Sequence, residues 1–245
     1  MHSLRRTLLL PAIALASALC GCRHAPQPLG IPARENPAQW AKDIEVFREQ
    51  DRTHPAPKGC VVFVGSSSIR FWSTLADDMA PIPVLNRGFG GSKLFDSVYY
   101  AHDLVSVHEP SLVVVFSGTN DLAGADAKSA VEVHDLFRQL VARLRAEDRE
   151  LEVAYIAITP TLAREVNRAT VREANRLIQI ECEADARLDF IDPTPALMDA
   201  GGKPDPQWFR DDRLHLNPRG YEVWTRCIRP TVERLYAQQR SRASN

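Results

Sequence analysis

Five short apolar runs recur along the chain, and they restrict the fold more than any other feature of the sequence. They are rich in β-branched residues and lie at residues 60–65, 82–86, 112–117, 151–158 and 188–191. The third and fourth runs are apolar almost throughout, whereas a strand with one solvated face would alternate apolar and polar residues. The runs therefore predict strands that are buried on both faces, which is typical of a parallel sheet covered by helices.

Amphipathic segments alternate with these runs and predict the covering helices. Apolar residues recur at helical spacing in residues 127–148 and 166–186, and a last helix is predicted from near Pro218 to about Leu235. The Asn-Pro pair at residues 36–37 is a typical helix start, with the asparagine as cap and the proline at the first helical position. The helices thus fill the intervals between the predicted strands.

A single domain accounts for this alternation. The chain has 245 residues, a length between one and two typical domains, and no internal repeat or linker divides it. Repeated strand–helix alternation predicts one doubly wound α/β domain over residues 36–236, with a flexible tail at residues 237–245.

The balance of charges limits the partners of the chain. It carries 30 Lys and Arg against 31 Asp and Glu, a net charge of −1, and 44% of its residues are hydrophobic. These values are typical of a globular protein with one core, and they exclude a disordered chain or a multi-pass membrane protein. Because there is no basic excess, we do not expect nucleic acid to be the main ligand.

The N-terminus is interpreted as an export signal. Arg5 and Arg6 precede an apolar stretch at residues 8–19. That stretch is shorter than the ~20 apolar residues needed to span a bilayer, so it suits a secretory signal and not a membrane span. We therefore assign residues 1–21 to a signal peptide and the proline-rich residues 22–35 to an extended tether.

The end of this signal, Leu-Cys-Gly-Cys at residues 19–22, resembles the bacterial lipobox. The resemblance implies cleavage before Cys22 and lipidation of that residue, so that acyl chains anchor the protein to a membrane. Arg23 is not the aspartate that retains lipoproteins at the inner membrane, which implies the periplasmic side of the outer membrane in the cell envelope. The alternative is a plain cleavable signal whose cysteines are incidental.

Polar residues follow four of the five runs, where the strands are expected to end. They lie at residues 65–69, 86–92, 118–121 and, beyond a proline-rich loop, 212–215. Doubly wound folds bind ligands at this edge, and Gly, Ser, Asn, Asp and His are together the components of an acyl-transfer site. Each segment alone has a structural interpretation as a helix cap or a turn, so the combination carries the functional prediction.

That combination resembles the SGNH (GDSL-type) hydrolase family over residues 36–236. Gly65-Ser66-Ser67 matches the Gly-Asp-Ser nucleophile block of the family, with Ser66 in place of the aspartate. The resemblance implies that Ser67 is the nucleophile. It also implies a flavodoxin-like three-layer α/β/α sandwich with a five-stranded parallel sheet, an esterase or lipase activity, and no cofactor.

The remaining blocks of the family are present in the same order. Gly91 in the glycine block matches the oxyanion-hole glycine, and Asn120 lies in Gly-Thr-Asn-Asp. The Asp-x-x-His block supplies Asp212 and His215. Asp121 is interpreted as structural, through hydrogen bonds to the turn that presents Asn120.

Elementary chemistry supports the same roles. A serine hydroxyl needs a base within ~3 Å, and histidine suits this role because its ordinary pKa lies near neutrality. Asp212 can accept from the second nitrogen of His215 and stabilise the imidazolium. The N–H groups of Ser67 and Gly91 and the amide of Asn120 are expected to donate to the oxyanion, and the helix after Ser67 should direct its positive end at the site.

Two other functions remain open. A catalytically silent envelope-binding lipoprotein is supported only by Ser66, and a flavodoxin-like anion or nucleotide binder would use residues 86–92 as an anion nest. Neither explains Asp212 and His215. A second Asp-x-x-His, at residues 51–54, precedes the first run and is expected in a linker away from the site.

The substrate is expected to be an ester, since relatives implied by the resemblance include short-chain esterases, lysophospholipases, thioesterases and carbohydrate deacetylases. A short-acyl ester is the favoured choice.

No residue spacing indicates a metal site, and Trp72 is expected in the core. The loop at residues 193–210 is predicted to shape the pocket through Leu197, Met198, Trp208 and Phe209. Three cysteines are interpreted as small buried hydrophobes, namely Cys60, Cys182 and Cys227.

Overall fold

Five parallel strands form the centre of the computed structural model, which describes residues 30–243. They are β1 (Val61–Gly65), β2 (Val84–Gly88), β3 (Leu112–Phe116), β4 (Glu152–Ile156) and β5 (Leu188–Ile191). Their order is β2-β1-β3-β4-β5, and every neighbouring pair is parallel. This is the strand order of the flavodoxin-like doubly wound fold, so the predicted fold class is confirmed.

Helices connect the strands. They are α1 (Ala41–Thr53), α2 (Ser67–Arg70), α3 (Leu75–Met79), α4 (Leu94–Tyr99), α5 (Ala101–Leu104), α6 (Ala130–Glu147), α7 (Arg168–Ala184) and α8 (Pro218–Ala243). Short 3-10 turns lie at Pro37–Trp40, Ser106–His108, Leu162–Asn167, Thr194–Leu197 and Pro206–Trp208.

The sheet separates two hydrophobic cores, because successive strand side chains point to opposite faces. In β3, Val113 and Val115 pack into the core beneath α1, α4, α5, α6 and α7. Val114 and Phe116 pack into the core beneath α2, α3 and α8. Burial of each such side chain stabilises the fold by about 1.5–3 kcal/mol, which explains why this strand is apolar without alternation.

The strand order places a crevice at the carboxyl ends of β1 and β3. The chain leaves β1 for its outer neighbour β2 through α2 and α3 on one face, and it returns to β3 through α4 and α5 on the other. The connections diverge at this point, which leaves the loops after β1 and β3 facing the same opening. Ligand sites of doubly wound folds lie there.

The last helix is longer than the sequence predicts. α8 continues to Ala243 instead of ending near Leu235, so residues 237–243 are helical and do not form a flexible tail. The Nη1 atom of Arg242 lies 2.6 Å from Oε1 of Glu152, which fastens the end of the helix to the first residue of β4. Apolar periodicity ends at Leu235, so a periodicity argument cannot find this extension.

The first helix also begins differently from the prediction. Residues Pro37–Trp40 form a 3-10 turn that leads into α1, and the Asn36 side chain makes no capping hydrogen bond. The proline does occupy the first position of the turn. The Asn-Pro pair therefore marks where the helical segment starts, although the asparagine does not act as its cap.

Trp72, Cys60 and Cys182 are buried as predicted, whereas Cys227 is only half-buried. Trp72 is 1% exposed, stacks on Tyr221 with ring centroids 5.7 Å apart, and donates from Nε1 to Asp78 at 2.6 Å. The three cysteines of the described residues form no disulfide; Cys60 and Cys182 are buried and Cys227 is half-buried.

Residues 1–29 lie outside the described part of the chain. The predicted signal peptide at residues 1–21, the lipidation site at Cys22 and most of the tether at residues 22–35 therefore remain sequence predictions. Between residues 30 and 243, no helix has the length and apolar character needed to cross a membrane.

Candidate active site

Three side chains meet at the carboxyl edge of the sheet. Ser67 is the first residue of α2, and Asp212 and His215 lie in the loop before α8. Nε2 of His215 lies 2.8 Å from Oγ of Ser67, and its Nδ1 lies 2.7 Å from Oδ2 of Asp212. The imidazole thus links a hydroxyl to a carboxylate by hydrogen bonds, which is the geometry that activates a serine. The ring of Phe71 packs edge-on against the imidazole at 5.0 Å.

The loop that carries Asp212 and His215 is fixed by its own hydrogen bonds. Oδ1 of Asp212 accepts from the backbone N–H groups of Leu214 and His215, each at 2.9 Å. Partial burial of Asp212 opposes its ionisation, but hydrogen bonds from the His215 ring and from these two N–H groups lower its pKa to about 2. Asp212 is therefore charged at neutral and mildly acidic pH and can stabilise an imidazolium on His215.

The turn between β1 and α2 presents Ser67. A Cβ at Gly65 would lie 2.0 Å from the carbonyl oxygen of Phe116, so only glycine allows this approach of β1 and β3. α2 has only four residues, and Ser66 makes no side-chain cap. The helix after Ser67 is therefore a single turn, and the positive end that it directs at the site consists of its free N–H groups.

Gly91 lies in the turn after β2, beside the turn that presents Ser67. Its φ of 84° is left-handed, and a Cβ there would lie 3.2 Å from the ring of Trp40. The N–H of Phe89 donates to the carbonyl of Gly65 at 3.0 Å and joins the two turns. Within residues 30–243, no protein group accepts from the N–H of Ser67 or Gly91. Both therefore remain available to a substrate oxygen.

Asn120 follows β3, and two neighbours hold its amide. Its Nδ2 donates to the carbonyl oxygen of Ser92 at 2.9 Å, and its Oδ1 accepts from Nη2 of Arg164 at 2.9 Å. An amide nitrogen carries two hydrogens, so one N–H of Asn120 remains free for a substrate. All five residues predicted for the acyl-transfer site thus lie at the same edge of the sheet.

The sequence blocks that build this edge match those of a known family. A family model of GDSL-like lipases and acylhydrolases matches residues 59–223, about two thirds of the chain. The chain belongs to the GDSL-like lipase/acylhydrolase family. It is therefore an ester-hydrolysing enzyme of the kind that the sequence predicts.

Solved structures share the fold of this GDSL-like enzyme. A GDSL-like lipase from Bacteroides thetaiotaomicron superposes with a TM-score of 0.65 at 20% identity, covering 81% of this chain and 98% of its own. A lipase/acylhydrolase from Enterococcus faecalis superposes with a TM-score of 0.57 at 19% identity, covering 70% of this chain and 94% of its own. An acetyl esterase superposes with a TM-score of 0.59 at 19% identity, covering 73% of this chain and 99% of its own. No curated protein is similar enough in sequence to match.

Asp121 has a structural role in this GDSL-like enzyme, but not the predicted one. Its Oδ2 accepts from the N–H of Leu94 at 2.8 Å, at the start of α4, instead of bonding its own turn. Its Oδ1 lies 3.0 Å from Nζ of Lys128, which also lies 2.8 Å from Glu35. All three charged side chains are buried. Such a cluster is stable only while its partners remain together, so it fixes the backbone beside Asn120.

A small cavity of about 20 Å³ opens beside Ser67. One wall is apolar and is formed by Phe116, Phe209, Leu216 and Trp224. A polar part of the lining, here called the polar wall, is formed by Thr119, Thr159, Thr161 and Arg164. The three threonine hydroxyls of this polar wall are buried and have no partner within the described residues.

The loop at residues 193–210 contributes less to the cavity than predicted. Only Phe209 lines it. Leu197 is fully buried in the core beneath α8, and Met198 and Trp208 pack against the same core. Apolar loop residues can either line a pocket or cover a hydrophobic core. Composition alone does not distinguish these two roles.

Sequence reasoning misses part of the polar wall. Thr159, Thr161 and Arg164 follow β4, whose carboxyl end lies at the same edge as those of β1 and β3. No motif marks them. Only the rule that parallel strands end at one edge would have drawn attention to the residues after the fourth run.

The second Asp-x-x-His lies apart from the active site. It forms the C-terminal end of α1 and not a linker. Asp51 forms an ion pair with the buried Arg87 and lies 3.6 Å from Nε2 of His108. His54 is exposed and contacts Thr53 at 3.0 Å. Within residues 30–243, no group of His, Cys, Asp and Glu side chains could hold a metal ion.

Proposed function

We propose that Ser67, His215 and Asp212 form the catalytic triad of an esterase that works through an acyl-enzyme. The observation that carries this proposal is the hydrogen-bond chain from Ser67 to His215 at 2.8 Å and from His215 to Asp212 at 2.7 Å. A binding protein would have no need for a base on the serine hydroxyl, whereas ester cleavage requires one.

In the first half of the reaction, Oγ of Ser67 attacks the ester carbonyl while Nε2 of His215 takes its proton. The carbonyl oxygen becomes an oxyanion, which accepts hydrogen bonds from the N–H groups of Ser67 and Gly91 and from the free amide N–H of Asn120. When the tetrahedral intermediate collapses, the bond to the alcohol oxygen breaks and His215 donates its proton to the leaving alcohol. Ser67 is left as an acyl ester.

In the second half, water takes the place of the alcohol. His215 removes a proton from the water, whose oxygen attacks the acyl carbonyl, and the oxyanion forms again in the same position. Collapse releases the carboxylic acid and returns the proton from His215 to Ser67. The charged Asp212 stabilises the imidazolium in both halves.

The size of the cavity supports a short acyl group. Its volume of about 20 Å³ accommodates a group little larger than a water molecule. The methyl of an acetyl ester meets this limit, whereas a longer chain would displace Phe209 or Trp224, which are 5% and 1% exposed. An acetyl esterase is also among the proteins that share this fold.

A panel of p-nitrophenyl esters tests this preference. We expect kcat/KM to fall at least about tenfold from the acetyl to the hexanoyl ester, because added methylenes overfill a narrow cavity. Turnover of each ester by Ser67→Ala gives the background rate. Equal or faster hydrolysis of the hexanoyl ester would contradict the short-acyl proposal.

We also propose that the enzyme is anchored to the cell envelope through lipidated Cys22. The support is the sequence at residues 19–22, together with the tether that follows it. Acyl chains on Cys22 would hold the enzyme at a membrane without a spanning segment, where acetylated envelope sugars or lysophospholipids would be within reach.

Replacement of Cys22 by serine should release the protein from the membrane fraction of an expressing bacterium and remove the diacylglycerol mass from its N-terminus. Cys20→Ser is the matched control, because this cysteine lies two residues earlier and should leave the anchor intact. A Cys22→Ser protein that stays in the membrane fraction with an acylated mass would disprove the anchor.

A further inference from the structure

Arg164 occupies the polar wall of the cavity with no carboxylate partner among residues 30–243. It lies in the 3-10 turn between β4 and α7, where its φ of −129° and ψ of 33° interrupt the helical conformation. Burial lowers the pKa of its guanidinium, which nevertheless stays charged, as arginine does in proteins. A half-buried charge without an ionic partner is a cost to the fold, so its place beside Ser67 points to a role in the site.

The two side-chain hydrogen bonds of Arg164 both reach the residues after β3. Nη1 donates to the carbonyl oxygen of Thr119 at 2.6 Å, and Nη2 donates to Oδ1 of Asn120 at 2.9 Å. The rigid fork of one guanidinium therefore holds the backbone of one residue and the side chain of the next. A single-point cation such as lysine cannot make both bonds in this fixed geometry.

We propose that Arg164 is a positioning residue that keeps the Asn120 amide turned with its N–H toward the substrate oxyanion. This inference rests on the proposed function. The two ends of a side-chain amide are almost equal in shape, so the hydrogen bonds around them decide which end faces the site. Arg164 can only donate, and Oδ1 must therefore face it.

The carbonyl of Ser92 completes this selection. Nδ2 of Asn120 donates to it at 2.9 Å, so a reversed amide would place its oxygen against the Ser92 carbonyl and toward the oxyanion. The amide oxygen would be repelled both by the Ser92 carbonyl oxygen and by the oxyanion. The charge on Arg164 also polarises the amide, which makes the remaining N–H a stronger donor.

The benefit of this orientation is confined to states with negative charge on the substrate oxygen. It should therefore appear in kcat and in the rate of reaction with a fluorophosphonate, whose phosphoryl oxygen gains similar charge, and much less in KM. Arg164→Met should lower kcat about a hundredfold, since small misplacements of catalytic groups have effects of this size. Arg164→Lys should recover only part of this loss.

A double-mutant cycle with Asn120 separates positioning from other roles. If Arg164 acts through Asn120, Arg164→Met should change kcat less than about threefold in an Asn120→Ala background. The control is Arg168→Met, which removes a nearby guanidinium that donates to the carbonyl of Gly202 and does not contact Asn120. Its kcat should match the wild type, and thermal melting should show that each variant is folded.

Three results would overturn the inference. They are a kcat of Arg164→Met and Arg164→Lys within about threefold of the wild type, an equal loss with and without Asn120, and a change confined to KM. The last would make Arg164 a ligand of the substrate itself. A wild-type protein with neither ester turnover nor fluorophosphonate labelling would instead refute the proposed function, so the two failures are distinguishable.

Discussion

Replacement of Ser67 by alanine should abolish both ester turnover and labelling by a fluorophosphonate. In the wild type, we expect one adduct per chain, in which Oγ of Ser67 bonds to phosphorus and fluoride leaves. Intact-mass spectrometry reads this adduct directly. Loss of a triad nucleophile typically lowers kcat by about 10⁴- to 10⁶-fold, so residual turnover should be close to the background rate.

The control for this result is Ser73→Ala, which removes an exposed serine hydroxyl in the loop between α2 and α3. It should label as fast as the wild type. The melting temperature of Ser67→Ala should stay near that of the wild type, because the variant loses only the hydrogen bond to His215 and a single hydrogen bond contributes little to stability. An adduct that persists in folded Ser67→Ala would show that the activated nucleophile lies elsewhere.

Replacement of His215 by alanine should have an effect of the same size, whereas His54→Ala should change kcat less than about twofold. A triad without its base loses about 10⁴- to 10⁶-fold in kcat. The two histidines are matched, since each ends an Asp-x-x-His, but only His215 reaches Ser67, at 2.8 Å. The measurement is kcat for both variants with the same acetyl ester.

Comparison of these two variants tests which of the two Asp-x-x-His motifs supplies the base, as well as the mechanism itself. The aspartate of the second copy, Asp51, is committed to the buried Arg87. Its histidine is exposed, and the ring contacts the neighbouring Thr53. If His54→Ala were as damaging as His215→Ala, the assignment of the base would be wrong, even though the distances favour His215.

The sheet and the positions of Ser67 and Asn120 were predictable from the sequence because each depends on a strong local signal. Two-sided burial makes β3 and β4 apolar throughout, and few structures besides a covered parallel sheet produce this pattern. Ser67 and Asn120 lie in short polar segments after β1 and β3, and parallel strands end at one edge, so their proximity follows from the fold class. His215 lies beyond the long loop that follows β5, and its place at this edge was predicted from the Asp-x-x-His block.

The polar wall and the helix ends were not predictable in the same way. Arg164 acts through a contact 44 positions away in the chain, and nothing in its neighbours distinguishes it from a surface arginine. The extended end of α8 contacts β4 through Arg242 and Glu152, again a tertiary contact. Such features depend on distances between elements, which a single sequence does not contain.

The separation of Ser67 and His215 in the chain has a consequence for the time at which activity can appear. Their hydrogen bond closes a gap of 148 positions, and a contact of such high sequence separation forms late in folding. Ribosomes synthesise β1 and Ser67 first, and the base that we propose for this serine is absent until residue 215 has emerged. On this proposal, a chain that has not reached residue 215 is inert toward esters in the compartment where it is synthesised.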